Sequence, residues 1–129
     1  MVSLIFLPFL IISELILEHC DKAITFLKRG LLIRNQDALI LMEKYQTQCD
    51  SSRYVFYHGN VLLDNGEKLK ALSKYVKATL MHDTYMLEDE LMYCYRHIID
   101  IYHDFGEDSL ASFFQNKYEE LIKEKRESG

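Results

Sequence analysis

SRYVFYHGNVLLDNGEKLKALSKYVKATLMHDTY, residues Ser52–Tyr85, decides the fold. On either side of Asn65-Gly66 the apolar residues recur at helical spacing, so the stretch reads as helix, turn, helix. Its key positions are Val55-x2-His58-Gly59-x2-Leu62, then Ala71-x3-Tyr75, then Asp83. Small residues stand where two helices must approach closely, at Gly59, Ala71 and Ala78. Gly66 falls in the turn, where a residue without Cβ takes positive φ cheaply.

The rest of the chain agrees with an all-α reading. It has 129 residues, the length of one domain, and 49% of them are hydrophobic, enough for a continuous core. One proline, five glycines and no alternating β-branched run point to helices joined by short turns and to no strand. A net charge of −5 argues against nucleic acid, whose phosphates call for a basic stripe. Only Lys123, Lys125 and Arg126 form a mild basic cluster. Cys20, Cys49 and Cys94 are odd in number and unpatterned in spacing, so they read as small buried hydrophobes in a reducing, intracellular compartment. The N-terminal MVSLIFLPFLII is strongly apolar, but it has no positive flank and no small-residue cleavage site. It is also too short to span a bilayer, so it reads as neither a secretory signal nor a membrane anchor.

About seven helices are expected from periodicity and caps. The first runs from Leu4 or Phe9 to His19, and Asp21 caps the second, over 22–33. Asn35 or Asp37 opens the third, ending near Gln48, with no obvious sequence partner. Asp50-Ser51-Ser52 caps the fourth, over 53–64, and the fifth covers 67–81. Thr84 caps the sixth, to Phe105, and Asp108 or Ser109 caps the seventh, which fades into KEKRESG. Tyr102, Gly106 and Ala111 keep the offsets of Leu62, Gly66 and Ala71, so residues 92–121 read as a degenerate copy of 52–85.

The key positions resemble the tetratricopeptide repeat, W-x2-L-G-x2-Y followed by A-x3-F and P. That resemblance implies a TPR-like right-handed α-α superhelix, a solenoid whose work is to hold other proteins. Residues 4–33 would add an N-terminal apolar hairpin to it. A narrower likeness rests on Asp21-x-Ala23, Phe26-Leu27, Arg29, Gln36-Asp37-Ala38-Leu39-Ile40-Leu41 and Gly59-Asn60-Val61. These look like the N-terminal repeats of the tetratricopeptide scaffold subunits of the anaphase-promoting complex. The likeness implies a homodimer, other protein subunits as partners, a place in ubiquitin-dependent cell-cycle control, and a nuclear or cytoplasmic location. An apolar end without a polar cap must also pair, so Leu4, Phe6, Phe9, Ile12 and Leu15 are the expected dimer interface.

In such repeats the first helix of each hairpin lines the concave groove. On the fourth helix that face holds Arg53, Phe56, Tyr57, Asn60 and Asp64, and on the sixth the candidates are Tyr95, Arg96, Ile99 and His103. In peptide-binding repeats that resemble this one, an asparagine in the Asn60 slot grips the peptide. The alternative to a dimeric scaffold is therefore a free-standing adaptor that binds a peptide or C-terminal tail in this groove. Cys94, His97, Asp100 and His103 stand three apart, but such steps drift around a helix, so no metal and no cofactor are expected. No nucleophile elbow or phosphate-binding glycine loop is present, and no catalytic residue is assigned.

Overall fold

The computed structural model describes residues 19–25, 35–81 and 86–128. Among them are six helical segments and no strand. Residues 19–25 are followed by α1 (Asn35–Tyr45), α2 (Ser52–Asp64), α3 (Lys68–Leu80), α4 (Glu88–Asp104) and α5 (Asp108–Ser128). The chain is all-α, with six helices described where about seven are expected. One expected boundary is absent. Residues 19–25 are continuously helical, and the Thr25 hydroxyl donates to the Asp21 carbonyl at 2.8 Å, so Asp21 lies inside a helix and caps nothing. Cys20, Ala23 and Ile24 are all buried on that turn, and their packing outweighs the local capping signal. The expected interface residues Leu4, Phe6, Phe9, Ile12 and Leu15 lie outside the described residues, and α4 is capped at Leu87 rather than at the expected Thr84.

Other boundaries follow the sequence closely. The Ser51 hydroxyl caps α2 by accepting from the Tyr54 N–H at 3.2 Å. α2 and α3 are joined by a Schellman turn: Gly66 N–H donates to Leu63 at 3.0 Å and Glu67 N–H to Leu62 at 2.9 Å. The same pair recurs forty residues on, where Gly106 N–H reaches His103 at 3.0 Å and Glu107 N–H reaches Tyr102 at 2.9 Å. Gly66 and Gly106 both take positive φ, 81° and 73°. The turn read from the offsets of Leu62, Gly66 and Ala71 is therefore repeated in the backbone. α4 is longer than its counterpart α2, 17 residues against 13, and α5 runs on to Ser128 where fading was expected.

Each of α1 to α4 packs on the next, and α2 also touches α4. α2 is the central helix, because it is buried on two sides. Val55, Phe56 and Leu62 face a core made with Ala71, Tyr75, Ala78, Cys94, Ile98 and Ile101. Tyr54 and Val61 face a second core made with Cys20, Ala23, Ile24, Ala38, Met42 and Cys49. That second core supplies the partner missing from the sequence reading of the third helix. α1 packs on residues 19–25, and the rings of His19 and Tyr45 stack at 5.4 Å.

A covalent bond ties residues 19–25 to the turn that follows α1. Cys20 and Cys49 form a disulfide with their Cα atoms 5.7 Å apart, and only Cys94 is a free, buried thiol. This corrects the expectation of three small buried hydrophobes. The two cysteines lie far apart in sequence and are brought together only by the packing of residues 19–25 on α1. The thiol count therefore no longer argues for a reducing compartment. No described helix is long and apolar enough to cross a membrane.

Candidate interaction groove

A groove of about 530 Å3 runs between α2 and α4. Its α2 wall carries Phe56, Tyr57, Asn60, Leu63 and Asp64, and its α4 side carries Leu87, Asp89, Glu90, Tyr93 and His97. Phe56 is buried and forms part of the floor, whereas Asp64, Leu87, Asp89 and Tyr93 are exposed at the rim. His97 lies on the floor with its ring stacked on Tyr75, 5.1 Å between centroids and 12° between planes. Burial lowers the His97 pKa, so its imidazole is neutral at pH 7.

One buried charge ties the walls together. The Arg53 Nε donates to both oxygens of Glu90, at 3.1 and 3.2 Å, and the Leu87 N–H donates to the same carboxylate at 2.9 Å. Tyr57 adds its hydroxyl, and the Arg53 guanidinium lies 5.9 Å from the Tyr57 ring centre. Burial alone would raise the Glu90 carboxyl. The hydrogen bonds from Tyr57, Leu87 and Arg53 outweigh it and hold the pKa below the usual range. Burial, reinforced by Glu90, pushes the Tyr57 phenol up to about 12, so it stays a donor. Glu90 thus does two structural tasks: it caps α4 and clamps α4 to α2.

Asn60 is also engaged, since its Oδ1 accepts from the Tyr75 hydroxyl at 2.6 Å. The asparagine expected to grip a peptide thus holds α2 to α3 through that oxygen.

The α2 half of the expected face is brought together, with Arg53 set behind Glu90. The α4 half is not. Ile99 is buried, and Tyr95 is half-buried with its ring 6.3 Å from that of Phe114. His103 is exposed and pairs with Asp108 at 3.2 Å. Arg96 lies over the Tyr93 ring at 5.7 Å and lines an adjoining cavity of about 310 Å3 with Asp89, Met92, Tyr93 and Tyr118, which shares Asp89 and Tyr93 with the groove. The groove-facing residues of α4 are instead Glu90, Tyr93 and His97, at i, i+3 and i+7. The forty-residue offset could have found them: applied to Arg53 and Tyr57 it points to Tyr93 and His97.

No protein-family model, curated protein or solved structure matches the chain. The groove is therefore read from its own chemistry. Among the described residues no three His, Cys, Asp or Glu side chains gather around a metal-sized space. Cys94 is buried, its thiol donates to the Tyr75 carbonyl at 3.3 Å, and burial raises its pKa, so it is a poor nucleophile. The arrangement offers ring faces, an exposed leucine and rim carboxylates on a rigid double-helix wall, which suits binding.

Proposed function

We propose that the chain is a non-enzymatic protein–protein interaction scaffold of TPR-like hairpins, working through the groove between α2 and α4. The carrying observation is the pairing of two hairpins with the same Schellman turn whose first helices, α2 and α4, touch and enclose that groove. Repeated hairpins that bury their faces on one another leave an extended inner surface for partners. The groove has the size of ordinary ligand pockets, roughly 300–1,000 Å3. Selection from a displayed peptide library tests the reading, with intact protein and Tyr93→Ala as baits. Tyr93 is an exposed rim residue, so its loss leaves the fold in place. Sequences enriched on the intact chain and lost on the variant are expected. Selection that fails, or that ignores the variant, rules the groove out.

A second reading is a homodimeric scaffold subunit of the anaphase-promoting complex. It rests on the sequence resemblance and on the apolar run that holds Leu4, Phe6, Phe9, Ile12 and Leu15. Light scattering on the intact chain and on Phe9→Asp with Ile12→Asp separates the two readings. A dimer turned into a folded monomer supports the scaffold subunit, and a monomer in both leaves the free-standing adaptor.

A further inference from the structure

We propose that the Cys20–Cys49 disulfide is a redox latch: a dithiol reductant opens it, and residues 19–25 then leave the second core while the rest of the chain stays folded. The bond is placed for access. Both cysteines pack in that core, yet both also line a cavity of about 410 Å3 whose wall includes the exposed residues Asp21, Gln48 and Asp50. A small dithiol fits a space of that size.

One thiolate of the reductant attacks a sulfur of the bond and forms a mixed disulfide, and the other cysteine leaves as a thiolate. The reductant's second thiolate then displaces the cysteine still held. Two electrons and two protons pass to the protein, which gains two thiols, and the dithiol departs as its own disulfide. Reoxidation re-forms the same pair, because the third cysteine does not compete. Cys94 belongs to the other core, and burial raises its pKa, so its thiol keeps its proton.

The hold of packing on the latched segment is small. Besides Cys20, the buried side chains of residues 19–25 are Ala23 and Ile24, and His19 adds its stack on Tyr45. The bond joins positions 29 residues apart. Closing a loop of that length shifts an equilibrium by roughly 30- to 1,000-fold. Opening is confined to the segment, because α1 and α2 are joined independently of the sulfurs. The Tyr54 hydroxyl donates to the Met42 carbonyl at 2.8 Å, and Ser51 caps α2. Arg53 borders the same cavity, but Glu90 holds its guanidinium, so the α2–α4 clamp stays in place.

Hydrogen exchange read by mass spectrometry, with and without dithiothreitol, tests the latch on the intact chain, and iodoacetamide labelling counts the thiols. Under native conditions Cys20 and Cys49 are expected to label after reduction, with Cys94 protected. Exchange in residues 19–25 is expected to rise about 30-fold or more, while α3 and α4 keep theirs. Removal of the reductant and reoxidation should restore the slow exchange. A bond that resists dithiothreitol until urea unfolds the chain overturns the proposal, because the cavity then gives no access. Reduction that leaves exchange in residues 19–25 unchanged overturns it, because packing alone then holds the segment. A rise of equal size in α3 and α4 overturns it too, because the bond then staples the whole fold.

Discussion

In the first hairpin Gly59 lies against the ring of Tyr75, whereas forty residues on the second hairpin has Ile99 and Gln115. A Cβ on Gly59 would sit 2.8 Å from the Tyr75 ring, so the tyrosine occupies the volume that a side chain would need. α3 lies between α2 and α4, and Ala71, Tyr75 and Ala78 are all buried there. α5 packs on α4 alone among the described helices, and of its residues only Ala111 is buried. Its ring comes one position earlier, from Phe114, whose centroid is 5.7 Å from that of Tyr102. The turn is thus a local device that can be copied. The filling behind it depends on whether the hairpin has neighbours on both sides.

The sharpest break of this comparison is the paired truncation of positions 75 and 115. Tyr75 is fully buried, with its hydroxyl bonded to Asn60 and its ring between Phe56 and His97. Tyr75→Ala should cost about 3–5 kcal/mol of unfolding free energy. Gln115→Ala, on the half-buried counterpart, should stay within about 0.5 kcal/mol. Urea unfolding measures both, and comparable losses would mean that α5 is packed as tightly as α3.

Next comes Gly59→Ile, which writes the second hairpin's residue into the first. The ring is held by its contacts with Phe56 and His97 and by its hydroxyl bond to Asn60, so about 3 kcal/mol should be lost. Tyr75→Gln should cancel much of that penalty, because the volume in dispute is then vacant. A double-mutant cycle reads the coupling directly. Simple additivity would show that the two positions do not compete for space.

Much of this was legible in the sequence because it is local. Asn65-Gly66 marks the turn, Ser51 the cap, and Gly59, Ala71 and Ala78 the close approach. The matching offsets at Tyr102, Gly106 and Ala111 mark the copy. What was not legible depends on distant chain meeting distant chain. Cys20 and Cys49 come together only once residues 19–25 pack on α1, which also explains the third helix's partner. The α4 face of the groove was misplaced because periodicity says which residues share a face, not which face meets α2. Glu90 carries no local mark of its clamp, because in the sequence it is one more acidic residue beside Glu88 and Asp89. Its second task needs Arg53 and Tyr57 from another helix.

A smaller contrast sets His58 against Ile98, the same position in the copy and buried in both hairpins. Burial, aided by Lys74, pushes the His58 pKa down to about 4, and among the described residues its Nε2 is the buried side-chain atom without a hydrogen bond. In the unfolded chain the imidazole titrates near its ordinary value of about 6.5. Between those values the unfolded state takes up a proton that the folded state refuses. This contribution is therefore complete above about pH 6.5 and shrinks as the pH falls toward 4. His97, also lowered by burial, acts in the same direction. His58→Ile should raise stability at pH 7 by about 1 kcal/mol, by removing an unpaired polar atom. It should also make the loss between pH 7 and 4.5 smaller by roughly 1–3 kcal/mol. Urea midpoints at the two pH values test this, and an unchanged acid loss would assign the slope to other groups.

The smallest effect concerns the feature that the hairpins share. Gly66 and Gly106 hold positive φ, and a Cβ built on either meets nothing within 4 Å. Alanine at either position therefore pays only the backbone cost of the left-handed conformation, about 1 kcal/mol, with no packing contribution. Asparagine, which tolerates that conformation better, should recover part of the loss at both. The two glycine variants should agree within about 0.5 kcal/mol although their hairpins are packed so differently. If Gly66→Ala costs clearly more than Gly106→Ala, the buried neighbours of α3 restrain the turn that joins it to α2. If the costs match, the turn is set by its own six-residue hydrogen-bond pattern, and the difference between the hairpins begins behind it, at Gly59 and Ile99.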